Sequence, residues 1–173
     1  MFFFNFFSKK EDVLASIFKI AEKGMYNIDF PISKEGRFEL LMFDIWLGEF
    51  LTENNSIYID YEQKIKSTEE YLKLMASKLG LPPEKKCERI YIFRKDGWMR
   101  DIMGLVHSDF PRTKQYLPGY LYLSMISNPL TIYVDEVSER KIDELDTSDL
   151  VEFTGPFCEH YSWLVKTITN TIK

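Results

Sequence analysis

Apolar residues recur along this chain mostly at helical spacing, three and four apart, on stretches bounded by cap residues, glycine and proline. Val13, Leu14, Ile17, Phe18 and Ala21 form the first such stripe. It follows Ser8-Lys9-Lys10-Glu11, which has the form of a capping box, and Gly24 is the expected stop. Ser33 predicts the cap of a second helix over about 34–52. That segment is apolar nearly all round, with Phe38, Leu40, Leu41, Met42, Phe43, Ile45, Trp46, Leu47, Phe50 and Leu51. Its polar strip is narrow and runs through Arg37, Asp44, Gly48 and Thr52. A helix apolar on most sides is packed by neighbours on several faces, so this one is the expected hub of the fold.

The remaining punctuation continues the series. Tyr61, Ile65, Leu72, Met75, Ala76 and Leu79 share one stripe. The helix they predict starts at the box Ser67-Thr68-Glu69-Glu70 or earlier, near Ile59, and ends at Gly80 and Pro82. Pro82-Pro83-Glu84 opens another, with Gly97 as an interruption before Trp98, Met99, Ile102, Met103 and Val106. Asn128-Pro129 is a further start signal. Pro156 is the expected first turn of a last helix carrying Phe157, Tyr161, Leu164, Val165, Ile168 and Ile172. The fold class that follows is all-α, a compact multi-helix single domain over 1–173. The competing class is α+β, since 57–59, 90–93 and 131–134 are rich in strand formers and Asp96-Gly97 fits a hairpin turn.

Composition changes this picture little. The chain has 173 residues, enough to fold around its own core without a disulfide or a metal. Its aromatic share is high, with 14 Phe, 10 Tyr and 3 Trp, and aromatics on inward stripes need no function beyond packing. Cys87 and Cys158 are the only cysteines and neither belongs to a C-x-x-C pair, which fits a reducing, cytoplasmic setting. Residues 115–134 carry no charge over membrane-spanning length, but Pro118-Gly119 and Asn128-Pro129 break the run, so buried core with turns is expected.

Charge is polarised rather than evenly spread. The net −5 hides a segment of +4 over 85–100 and one of −7 over 135–159. The basic segment interleaves Tyr91, Phe93 and Trp98, a pattern that can bind single strands, but the chain as a whole is acidic, with an isoelectric point near 5.2, and nucleic acid is not the expected partner. The acidic one presents Asp135, Glu136, Glu139, Asp143, Glu144, Asp146, Asp149 and Glu152, a surface suited to steering a basic protein partner.

No motif fixes a reaction. The eight glycines form neither a P-loop nor G-x-G-x-x-G, and G-x-S-x-G, H-E-x-x-H and the EF-hand loop are absent. His107-Ser108-Asp109 and Glu159-His160 could hold a metal only if they converged, and no ligand spacing supports that, so no metal or cofactor is expected. Cys158 and His160, two apart on a helix, point in different directions. The leading expectation is therefore a non-catalytic helical interaction protein using its acidic surface. A second is a ligand-binding or enzymatic bundle with an aromatic-lined pocket, in which Asp44 beside Trp46 is the polar group. Burying Asp44 among Phe43, Ile45 and Trp46 is costly unless it is paired, so its exposure discriminates the two. A third is peripheral membrane association through Phe2, Phe3, Phe4, Phe6 and Phe7 followed by Lys9 and Lys10, in a segment over 1–8 that otherwise packs inward or stays a flexible tail.

Overall fold

A computed structural model describes residues 4–28, 32–81, 91, 95, 98 and 147–172, with side chains described from residue 13 in the first helix and from residue 155 in the last. Four long helices make up this part: α1 (Phe4–Asn27), α2 (Lys34–Asn54), α3 (Tyr61–Lys78) and α4 (Thr147–Thr171). There is no strand among the described residues, and the fold is all-α. Residues 57–59, expected as a strand in the α+β alternative, lie in the irregular link between α2 and α3. The segments 115–134 and 131–134 lie outside the described residues.

Helix α2 is the hub. Its N-cap is Ser33, whose side chain accepts the Gly36 amide at 3.0 Å. Every residue from Phe38 to Glu49 is buried, so the helix is surrounded on all sides for about three turns. The strip through Asp44, Gly48 and Thr52 does not face solvent. It forms the seam against α1 and α4. At Gly48 an added Cβ would meet Ile17 Cγ2 of α1 at 2.6 Å and Ile168 Cδ1 of α4 at 3.3 Å, so the missing side chain sets how closely three helices approach. Only at Arg37 does the strip behave as a polar edge: its guanidinium donates to the Met25 carbonyl at 2.7 Å and lies over the Tyr26 ring, tying the start of α2 to the end of α1.

Several helix boundaries differ from those expected. Helix α1 begins by Phe4 and runs to Asn27, so Ser8 is inside it and Gly24 does not end it. Helix α3 starts at the earlier of the two expected positions, near Ile59: Asp60 is its cap and accepts the Gln63 amide at 3.0 Å, and Ser67 and Thr68 lie within the helix. Its end is as expected. Gly80, at φ +68°, donates to Ser77 and Leu81 donates back to Ala76, a Schellman stop that buries Leu81. In α4, Pro156 is internal instead of first. Proline has no N–H to give the carbonyl four residues earlier, but the turns on either side carry the helix through.

Aromatic packing joins the elements. Trp46 packs against Phe43, Phe50 and Trp98, with Phe43 and Trp98 edge to face at 5.3 Å. Trp98 is buried, as is Tyr91, so these aromatics of the basic segment are core and not a stacking surface. Phe18 stacks on Tyr71 at 4.4 Å and the Tyr71 hydroxyl donates to the Phe18 carbonyl, which fixes α3 on α1.

Two glycines test this packing. Gly48→Ala is expected to lower unfolding free energy by about 1–3 kcal/mol despite alanine's better helix propensity, because the new methyl meets the buried Ile17 side chain. Gly155→Ala, in α4, meets nothing beyond its chain neighbours, but a helical Cβ before Pro156 is disfavoured by the proline ring, so the propensity gain is expected to be offset and the change to stay within about 0.5 kcal/mol of the parent. Urea denaturation of both variants measures the difference.

Candidate functional site

Three helices converge on one polar pair. Asp44 of α2 is completely buried, and its Oδ2 lies 2.9 Å from Nε2 of His160 on α4. His160 is itself 6% exposed. The pair forms because each residue occupies a core register of its helix. Phe157, His160, Leu164 and Ile168 are the buried stripe of α4, spaced three, four and four apart. Asp44 lies on the α2 seam one turn before Gly48. Room for the pair comes from the third helix: a Cβ at Gly24 of α1 would stand 2.8 Å from His160 Cε1 and 3.0 Å from Asp44 Oδ2. Gly24 therefore accommodates the pair where a helix stop was expected.

On its outer side the pair reaches a cleft. A cavity of about 480 Å³ is lined by Asn27 and Ile28 from the end of α1 and by Pro156, Glu159, His160 and Trp163 from α4. The last four recur at i, i+3, i+4 and i+7, one face of the helix. His160 belongs both to this face and to the buried stripe beside it, and through Asp44 it bonds into the core. Its ring lies 5.8 Å from the Trp163 ring. Asp44 behind it fixes the orientation of the imidazole at the cleft wall. Trp163 and Pro156 supply apolar walls, and Glu159 and Asn27, both exposed, form a polar rim.

A second buried polar cluster lies elsewhere on α2. Glu49 accepts from the Thr68 hydroxyl at 3.1 Å, and the Lys64 ammonium stands 3.8 Å from its other oxygen while also bonding Glu53. The Tyr91 hydroxyl is next to Glu49 without reaching hydrogen-bond geometry. Burial pushes the Glu49 carboxyl above its ordinary value, against the opposing pull of Lys64. Burial also pulls Lys64 down, but the Glu53 hydrogen bond and the charges of Glu49 and Glu53 outweigh it and leave the ammonium raised. Lys64 is 4% exposed in its side chain. This cluster joins α2 to α3 and Tyr91.

The expected site residues are distributed unevenly. Asp44 is in the site. Trp46 is not: it is buried in the aromatic core and does not line the cleft. His160, a candidate metal ligand, a candidate base for Cys158 or a residue of a polar helix face by its sequence, is instead the buried partner of Asp44. Glu159 lines the cleft, whereas His107 and Asp109 lie outside the described residues. Among the described residues no three metal-binding side chains cluster. Cys158 is a free thiol, half-buried rather than a core residue; Cys87 lies outside the described residues. So do Phe2, Phe3 and the acidic positions Asp135, Glu136, Glu139, Asp143, Glu144 and Asp146. Phe4, Phe6, Phe7, Lys9 and Lys10 are on α1, and Asp149 and Glu152 on α4, in turns whose side chains are not described. Among the described residues no helix is long and apolar enough to cross a membrane.

The two buried clusters give separable predictions. For Asp44 and His160, a double-mutant cycle with Asp44→Ala and His160→Ala is expected to return a coupling of about 1–3 kcal/mol in denaturation, since either single change removes the buried hydrogen bond between them. For the second cluster, Lys64→Met is expected to cost about 3–5 kcal/mol by leaving Glu49 without its cation, and adding Glu49→Gln to recover most of it. The pH dependence has a defined sign. Glu49 binds its proton more readily folded than unfolded, so its contribution falls as pH rises from 4.5 through the raised folded value. Glu49→Gln should therefore gain on the parent protein as pH climbs through that window, measured as the difference in unfolding free energy at pH 4 and pH 7.

Compared with protein families, curated proteins and solved structures, the chain matches none.

Proposed function

We propose that this protein is a helical small-molecule-binding protein whose ligand occupies the cleft between the end of α1 and α4. The observation that carries the proposal is the buried Asp44–His160 pair at the cleft floor. Apolar residues of similar volume commonly replace a buried ionisable pair without loss of stability, so packing alone gives little reason for this one. Asp44 is wholly inside, while His160 is presented at a cleft wall, the arrangement of an oriented imidazole. The cavity volume lies within the range of about 300–1,000 Å³ common for small-ligand sites. A few polar groups among apolar walls is the usual make-up of such sites. The pair gives this reading a fixed polar group, and on that ground it stands ahead of a docking role for the acidic run 135–152.

Trp163 gives a direct readout. Trp46 and Trp98 are buried, at 1% and 4% exposure, and Trp163 is the half-buried indole at the cleft. A fragment library screened by protein-observed NMR is expected to shift the Trp163 and His160 signals together. Hits should lose about tenfold or more in affinity in Trp163→Ala, the scale of losing an aromatic wall. Fragments that bind while leaving both signals unmoved would overturn the proposal.

A further inference from the structure

We infer that Gly24 is the positioning residue of the cleft, an inference that rests on the cleft as the binding site. It seats the Trp163 indole and the His160 imidazole against the α1 backbone, and ligand affinity depends on that seat. The first ground is contact. A Cβ at Gly24 would stand 2.8 Å from His160 Cε1, 3.0 Å from Asp44 Oδ2 and 3.1 Å from Trp163 Cζ3. One position on α1 thus bears on the imidazole, on the carboxylate that orients it and on an aromatic wall of the cleft. Gly24 does not itself line the cavity, so it acts through these rings. Gly48 makes the contrast: the nearest atoms to a Cβ there belong to Ile17 and Ile168, and neither residue lines the cavity.

The second ground is register. Gly24 and Asn27, three apart, share one side of α1, and Ile28 follows at its end. Pro156, His160 and Trp163, four and three apart, share one side of α4. At Gly24 the two helices meet, ring against backbone. At Asn27 and Ile28, a turn further along α1, the cavity lies between them. Gly24 therefore stands where the cleft begins, and it fixes how far both rings lie from α1. Walls in place before a ligand arrives spare binding the cost of ordering them, so affinity falls when the seat is altered. Alanine is the better helix former inside α1, and the close contacts that oppose it here are with residues of the site.

The test uses the full chain and quinoline, a flat neutral probe able to lie against an indole. In the parent protein, NOE contacts are expected from the Gly24 Hα protons to His160 Hε1 and Trp163 Hζ3; without either contact the seat does not exist and the inference falls. Gly24→Ala is expected to shift the Trp163 and His160 signals of the free protein and to weaken quinoline about five- to tenfold. Gly48→Ala, which crowds the packing seam, should lower stability yet hold quinoline affinity within about twofold of the parent. Equal losses in the two variants overturn the inference, because affinity then follows stability in general. Quinoline binding Gly24→Ala as tightly as the parent also overturns it and leaves the cleft standing as a binding site. If Gly24→Ala does not fold, the parent decides: bound quinoline must move the Gly24 Hα resonances together with those of Trp163 and His160, and unmoved Hα resonances overturn the inference. If quinoline moves neither ring signal in the parent, the cleft reading and the inference fall together.

Discussion

A helix enclosed on every side leaves no solvent for its polar residues, and the described structure is organised by that constraint on α2. From Phe38 to Glu49 nothing on this helix reaches water, so each polar group there needs a partner on a neighbour, and each partner fixes that neighbour's position. Asp44 takes His160 and so sets the register of α4. Glu49 takes Thr68 and Lys64 and so sets that of α3. Gly48, between them in sequence, lets Ile17 and Ile168 close on the backbone and brings α1 and α4 to the same seam. The cleft is a consequence. With α4 held at His160 and α1 held past Gly24 by the Arg37–Met25 bond, the last residues of α1 and the first half of α4 are left side by side without filling the space between them.

Much of this was legible in the residues. The hub helix, its Ser33 cap and the Gly80 stop follow from local chemistry: a hydroxyl that accepts a free amide, a glycine that takes positive φ, and an apolar surface too wide for a surface helix. Asp44 was recognisable as anomalous because three large apolar neighbours in sequence leave it no shallow position. Its partner was not found, and the reason is specific. His160 was placed on a polar face beside Glu159, although it falls three residues after Phe157 and four before Leu164, in register with the buried stripe. A polar residue in core register on one helix is a signal to look for a second on another, and Asp44 supplied the first. What no local pattern can give is that residues 116 apart in sequence meet.

At two positions with strong local signals for a helix end, Thr68 and Gly24, tertiary contacts engage the residue inside a continuous helix. Thr68 gives its hydroxyl to Glu49 instead of to a helix start. Gly24 is kept small by the Asp44–His160 pair, and its backbone stays helical because α1 packs on α2 beyond it. Trp98 follows the same logic: surrounded by basic residues in sequence, it is drawn into the core by Phe43 and Trp46, whose rings offer more than a solvent-facing stack would. Cap and turn preferences of about a kilocalorie do not compete with burial of a large aromatic or pairing of a buried charge.

The two buried clusters on α2 differ in what lies beside them. Around Glu49, the Thr68 hydroxyl and the Lys64 ammonium reach the carboxylate, Glu53 holds Lys64 from outside, and Tyr91 covers the group. Such a cluster serves to fix α3, and within it Glu49 Oε2 and the Tyr91 hydroxyl make no hydrogen bond. The Asp44–His160 pair borders a cleft as well as the core. Helix α1 contributes a glycine where any side chain would crowd the imidazole, and the outer edge of His160 borders a cavity walled by Trp163 and Pro156. An oriented imidazole beside an aromatic wall is the feature on which the proposed binding role rests.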